Sequence, residues 1–314
     1  MRLERDWSLS ANALAQGVED VGTRGLFFAA EGVAKHVETN ASEILNLEIG
    51  PKPVKHQADG GSDLCIGGHS MAGGGISVII PAYNVDGFIA EAFSSVAAQT
   101  RPVHEILVID DGSTDNTSAW LRNMARKDGR IRVLTSDRLG PSGARNVGLR
   151  AAAEPIIAFL DADDAWPPYK IERQMERLSA ADRPDLVSGL IQRFHRFEFG
   201  TSGPGKPADT MVHVNLGACL FRRGVFDVVG PFDESLSYCE DVDLMFRVRE
   251  NGLKVAIMRE VTLYYRVRPG SLTQTQTTQD QGRGALKALR LSIGRRRRIG
   301  CTADLPLFTA LIEE

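Results

Sequence analysis

No window of this 314-residue chain approaches the roughly 18 uninterrupted apolar residues of a membrane-spanning helix. The opening residues, Met1 to Asp6, carry mixed charge and lead into no apolar segment of the signal-peptide kind, so a soluble protein is expected. Cysteine is scarce as well. Cys65, Cys219, Cys239 and Cys301 form no CxxC pair and keep no regular spacing, which argues against a disulfide framework or a zinc site and for a reducing cytoplasmic setting. Nor does one sign of charge dominate: 37 Lys and Arg against 40 Asp and Glu leave a net charge of −3, so bulk electrostatics favour neither nucleic acid nor a membrane as partner. Finally, no G-x-G-x-x-G follows any candidate strand, which disfavours a dinucleotide-binding dehydrogenase.

What is present is uneven along the chain. Residues 1-75 show no sustained helical period; Leu26 to Ala30 and Glu43 to Leu47 are at most parts of short helices, and from Gly50 to Gly75 a Pro/Gly/Asp/Ser-rich stretch reads as a linker. At Ile76 the character changes. Ile76 to Ile80 is a β-branched run closed by Pro81, and Phe88, Ile89, Ala92, Phe93 and Val96 fall on one helical face after it. The strand-helix step repeats with Glu105 to Ile109, then a helix opened by Asp115-Asn116-Thr117 and running to Lys127; with Ile131 to Leu134, then a helix from near Gly143; and with a fourth strand at Ile156 to Leu160. Such alternation predicts an α/β fold whose mostly parallel sheet carries helices on both faces.

The second half predicts a helix from Lys170 to Leu178, a strand near Leu186 to Ile191, a Gly/Pro-rich loop from Gly200 to Pro207, a short strand at Ala218 to Phe221 and a helix from Glu240 stopped at Gly252. Asp243 and Arg247 read as a structural i,i+4 pair. Thr273 to Gln279 is a polar tract with the composition of a mobile connector. Beyond it Leu286, Leu289 and Ile293 would share one side of a helix, opposite Lys287, Arg290 and the run Arg295 to Arg298. That basic side is either a solvated face or a local contact with a membrane surface or an acidic partner. Three segments result: a 1-75 extension, a 76-273 domain, and a 274-314 connector with its basic helix.

The chemistry concentrates at strand ends. Leu160-Asp161-Ala162-Asp163-Asp164 follows the fourth strand, at the edge where open α/β sheets bind ligands. Short acids form turns there, but clustered carboxylates facing solvent also suit a hard cation such as Mg²⁺ or Mn²⁺, which takes one or two of them and shares the rest of its shell with phosphate oxygens. Pro81-Ala82-Tyr83-Asn84 and Asp110-Asp111 end the first two strands on the same edge. Glu240-Asp241 opens a helix, a placement that offsets the helix dipole and needs no catalytic explanation by itself.

Taken together, Val78 to Asn84, Ile109 to Asp115, Gly143-Ala144-Arg145-Asn146, Leu160 to Asp164 and Glu240-Asp241, in this order, resemble the family 2 glycosyltransferases of GT-A fold. The resemblance runs from about Ile76 to Thr273. It implies an enzyme that moves a sugar from a nucleotide-sugar donor to a hydroxyl acceptor with inversion and a divalent metal, Mn²⁺ or Mg²⁺. Pro81 and Tyr83 would line the nucleoside pocket, Asp111 would bond the base, and Arg145 would lie near the base or diphosphate. Asp161 and Asp163 would form the D-x-D pair, with Asp163 on the metal, and Asp241 would be the catalytic base with Glu240 beside it. One departure stands out. Where many relatives have histidine in Tyr-Arg-x-His-Pro-Gly-Ser, this chain has Arg268, which cannot ligate a metal but can pair with phosphate. Two alternatives remain: transfer to a polyprenyl phosphate at a membrane, and a nucleotide-sugar-binding module without turnover.

Overall fold

The structure, a computed structural model, describes residues 74–194, 210–268 and 278–298. The helix fragments and linker read before Gly74, the Gly200 to Pro207 loop and the start of the polar tract at Thr273 lie outside them. The first half alternates β1 (Ile76–Ala82), α1 (Ile89–Ala97), β2 (Glu105–Asp110), α2 (Thr117–Lys127), β3 (Ile131–Thr135), α3 (Gly140–Ala151) and β4 (Ile156–Phe159). The second half adds α4 (Lys170–Leu178), β5 (Leu186–Phe194), β6 (Thr210–Met211), β7 (Leu220–Arg222), α5 (Gly224–Val229), α6 (Glu240–Glu250), β8 (Val255–Arg266) and α7 (Thr278–Arg298).

These strands form one sheet in the order β3-β2-β1-β4-β7-β5-β6, with β8 also on β5. β3, β2, β1 and β4 run parallel, so Ala82, Asp110 and Phe159 all end on one edge. The other half departs from the simple repeat: β7 is antiparallel to both β4 and β5, while β8 returns parallel to β5. One expectation needs adjusting. Ala218 is not in a strand but closes a single 3₁₀ turn, Leu216–Ala218, and β7 begins only at Leu220. The strand β8 gave no period-2 signal because Arg259-Glu260 interrupts it where its register against β5 shifts.

Alternating side chains divide the core between the two faces of the sheet. Val78 and Ile80 pack with Ile89, Phe93, Leu121 and Met175 of α1, α2 and α4, whereas Ile79, Leu107, Ile109 and Phe159 pack with Ala144, Val225, Leu244 and Val248 of α3, α5 and α6. Helices therefore cover both faces. The approach of α3 is set by Gly148, where an added Cβ would stand 2.4 Å from Ile79 Cγ2 and 2.9 Å from Ile109 Cδ1. Gly148→Ala is expected to destabilise the fold by about 1–3 kcal/mol through overpacking, outweighing the gain of up to about 1 kcal/mol in helix propensity. A denaturant midpoint at or above wild type would contradict this. The same helix carries Arg145 to the sheet edge one turn earlier.

α7 packs on α6. Ala288, Leu289, Ser292 and Arg296 are buried, and Arg295 donates to Glu250 (Nε to Oε2, 2.6 Å) and Asp243 (Nη1 to Oδ1, 2.8 Å). The apolar side is thus rotated from the one expected. Leu286 is 40% exposed, and the run Arg295 to Arg298 is divided between the inner and outer sides of the helix. Asp243 and Arg247 do pair, at 2.9 Å, as their spacing suggested, and both are buried. Thr278 and Gln279 of the polar tract already belong to the helix.

Candidate active site

The parallel strands end in loops that bind one another. Asn84, in the left-handed region at φ 50°, accepts the Thr114 N–H on its side chain at 2.8 Å, and its own N–H donates to Ser113 Oγ. Gly112, at φ 76°, makes the turn that brings Ser113 and Thr114 there, a conformation a side chain would strain. Tyr83 is 40% exposed on this rim, with the Arg138 guanidinium 4.3 Å from its ring centre. Pro81 sits in β1 just beneath. Asp111 is buried, and its carboxylate accepts Ser136 Oγ at 2.6 Å and the N–H groups of Leu139 and Gly140, each at 2.8 Å. It therefore holds the loop entering α3, a task that spacing alone did not reveal.

Arg145 joins two acids that are far apart in sequence. Its Nη2 donates to Asp161 Oδ1 at 2.7 Å and its Nη1 to Glu240 Oε1 at 2.6 Å, so the loop after β4 and the start of α6 are tied through one buried guanidinium. Burial opposes its charge, but the Asp161 and Glu240 carboxylates more than compensate and raise its pKa. Asp241, next in line, accepts the Val242 N–H on Oδ1. Burial, then the neighbouring Glu240 charge, pushes its carboxyl up to about 7. Cys239, just before, caps α6 without a side-chain bond and at φ 63°. A non-glycine residue in that region marks local strain beside the candidate base.

Asp163 belongs to a second group. It does not stand in an open solvent-facing loop, as its sequence neighbours suggested: its carboxylate accepts Arg268 Nε at 2.8 Å and the pair is largely shielded. Burial first, then the Asp161 charge, raise its pKa, with Arg268 pulling the other way. Asp164 is structural. Its Oδ1 accepts the Arg266 N–H at 2.8 Å, and burial with the Asp163 and Asp161 charges holds its carboxyl well above the usual range. Arg266 also donates to Asp163 O at 2.7 Å and to Glu91, and both it and Arg268 lie over the Phe88 ring.

Sequence reasoning missed a buried clamp behind these loops. Trp166 Nε1 donates to Gly217 O (2.9 Å), Gln174 Nε2 to Ala218 O (2.8 Å) and Lys170 Nζ to Cys219 O (3.1 Å), so three consecutive carbonyls at the end of the 3₁₀ turn and just after it are held from one side. Lys170 lies fully buried over the Trp166 ring, and burial brings its ammonium down to about 7. The signal available was the i, i+4 spacing of Lys170 and Gln174 in α4; Trp166 lies before that helix and no period links it to them.

The residues a divalent ion would use here are carboxylates of two neighbouring loop positions, Asp161 and Asp163. Among the described residues no three His, Cys, Asp or Glu side chains converge as a closed metal cage. Burial first, then the neighbouring carboxylates, push Asp163 and Asp164 toward protonation. A hard cation that takes one or two carboxylates and completes its shell with phosphate would offset the part of this that the neighbouring charges cause.

Residues 77–206 match the model of "Glycosyl transferase family 2". An uncharacterized glycosyltransferase of Nostoc sp. is 40% identical over 211 residues, covering 61% of this chain and 64% of that protein, so the chain spans less than two thirds of that relative. The glycosyltransferase AglE of Haloferax volcanii is 30% identical over 220 residues, 66% of this chain and 72% of its own length. Over a shorter stretch of 104 residues, 33% of this chain and 40% of the other, 41% identity is shared with WfgD of Escherichia coli, a UDP-Glc:alpha-D-GlcNAc-diphosphoundecaprenol beta-1,3-glucosyltransferase. The crystal structure of S. aureus TarS residues 1-349 in complex with UDP-GlcNAc superposes with a TM-score of 0.53 at 21% identity, covering 70% of this chain and 66% of that one, which shows the shared fold. With the strand-end motifs in place on that fold, the chain belongs to glycosyltransferase family 2.

Proposed function

We propose that the protein transfers a sugar from a nucleoside diphosphate donor to an acceptor hydroxyl by a single displacement with inversion. The observation that carries this reading is Asp241: a carboxylate held by environment near neutrality, at a helix start joined to the strand-end acids through Glu240 and Arg145. A general base works best with a pKa close to the working pH. Asp241 takes the acceptor proton as the acceptor oxygen attacks the sugar's C1, and the C1–O bond to the diphosphate breaks on the opposite side. Arg145 keeps Glu240 and Asp161 in register. Tyr83, with Pro81 beneath it, provides a rim on which a nucleobase stacks, and Asp111 fixes the loop beside it.

Asp161 and Asp163 would hold a Mn²⁺ or Mg²⁺ ion, which when bound offsets the charge developing on the leaving diphosphate. Uridine nucleotides are the first donors to try, since TarS has been crystallised with UDP-GlcNAc. A module that only binds donors is disfavoured because it has no use for a carboxylate poised near neutrality. The acceptor reading that gains support is a lipid-linked one, on the WfgD relative and on the basic outer side of α7.

Incubating purified protein with a panel of nucleotide sugars and Mn²⁺, and following slow donor hydrolysis, tests the activity. Calorimetry tests the metal: Asp163→Ala is expected to abolish the Mn²⁺-dependent tightening of nucleoside diphosphate binding while the thermal transition remains cooperative. Undiminished metal dependence in that variant would remove Asp163 from the site.

A further inference from the structure

The outer side of α7 contributes no group to the bond-making and bond-breaking described above. From Gln281 to Arg298 the sequence contains seven basic residues and no acid, in a chain whose net charge is −3. The fold sorts them. Arg295 turns inward onto Asp243 and Glu250, and Arg296 is buried, while Arg283, Lys287, Arg290, Arg297 and Arg298 are exposed. At 3.6 residues per turn these five positions fall within an arc of about 100°, along about 22 Å of helix, with the 40% exposed Leu286 at its margin. Positive charge is therefore concentrated on one narrow, straight face.

The position of that face matters more than its charge. Lys287 Nζ donates to Ser235 O at 2.6 Å, and a Cβ at Gly284 would meet Tyr238 at 3.3 Å, so the N-terminal half of α7 lies against the segment that leads directly into Glu240 and Asp241. We infer that this face docks the protein on an anionic lipid bilayer, with the segment that leads into Asp241 beside the bilayer surface. A flat negative surface complements a straight row of cations, and the lone exposed leucine at its margin suits the headgroup boundary. Each basic residue near such a surface contributes about a factor of five in partitioning. Nucleic acid offers the same sign of charge, but no exposed aromatic of the kind that stacks bases lies on this helix. The use of this surface, delivery of a lipid-linked acceptor, rests on the transferase reading above.

Vesicle co-sedimentation of the full chain without nucleotide keeps the two ideas separable. Wild type is expected to sediment with vesicles of mixed phosphatidylcholine and phosphatidylglycerol, to stay in solution with phosphatidylcholine alone, and to be released as salt is raised. The triple variant Arg290→Glu, Arg297→Glu, Arg298→Glu should lose roughly 100-fold in partitioning and keep donor hydrolysis. If the triple variant does not fold, the pair Arg297→Glu, Arg298→Glu at the helix end serves, with a loss of at least roughly 10-fold expected. Equal binding by wild type and variant, no preference for the anionic vesicles, or tighter binding to single-stranded RNA than to vesicles would overturn the inference. Loss of donor hydrolysis in wild type would instead count against the transferase reading alone.

Discussion

Asp241→Asn is expected to leave nucleoside diphosphate affinity unchanged and to lower sugar transfer by roughly 10²–10⁴-fold. Asparagine keeps the shape of the side chain and its bond from the Val242 N–H, but it cannot accept a proton. The pH profile adds an independent readout. Because burial and Glu240 push the Asp241 carboxyl up to about 7, wild-type transfer should rise as pH passes through that value and level off above it. The variant should show no such rise.

Stability should move in the opposite direction to activity. A carboxyl whose folded pKa lies above its unfolded value of 3.8 stabilises the fold fully only below that unfolded pKa, and this contribution is lost as pH rises through about 7. The asparagine variant never acquires the buried charge, so it should melt above wild type at pH 8 and converge with it toward pH 4. If Glu240 and Asp241 served only to offset the dipole of α6, the change would cost at most about 1 kcal/mol and little activity, since asparagine caps helices about as well as aspartate. Near wild-type turnover in a correctly folded variant would take Asp241 out of the mechanism.

The parallel half of the fold was legible because its information is local. β-branched runs such as Ile76 to Ile80 and Glu105 to Ile109 mark buried strands by composition, and the polar residues just after them must fall on the edge those strands share. Long-range pairing was not legible. Nothing in Arg145 and its neighbours states that the guanidinium bridges Asp161, 16 residues on, and Glu240, 95 residues on, because both bonds exist only once β4 and α6 converge. The family pattern places Asp111 at the nucleobase; what it does not announce is that the same carboxylate is bonded by Ser136, Leu139 and Gly140, contacts made between segments about 25 to 29 residues apart. The second half was harder for another reason. β8 shifts register at Arg259-Glu260, and β7 is only three residues long, too short for any period to register.

The basic end of the chain gave the most misleading signal, and it supplies the other large expected effect. Its polar, Arg-rich sequence reads as a solvated or surface-contacting helix beyond a mobile connector, yet α7 covers α6 and places Arg295 between Asp243, 1% exposed, and Glu250, 4% exposed. Removing one member of a buried ion pair costs more than the pair is worth, because the remaining charge has lost both water and partner. Asp243 keeps Arg247, so the charge left without this support is chiefly that of Glu250. Arg295→Met is therefore expected to lower stability by about 3 kcal/mol, against about 0.5 kcal/mol or less for the same change at exposed Arg297 or Arg298. Deleting residues 282–314 should be worse, since it also uncovers the face of α6 that Ala288 and Leu289 bury. Urea denaturation of the three single variants measures this directly. Equal midpoints for Arg295→Met and Arg297→Met would mean that α7 rests on α6 without anchoring it.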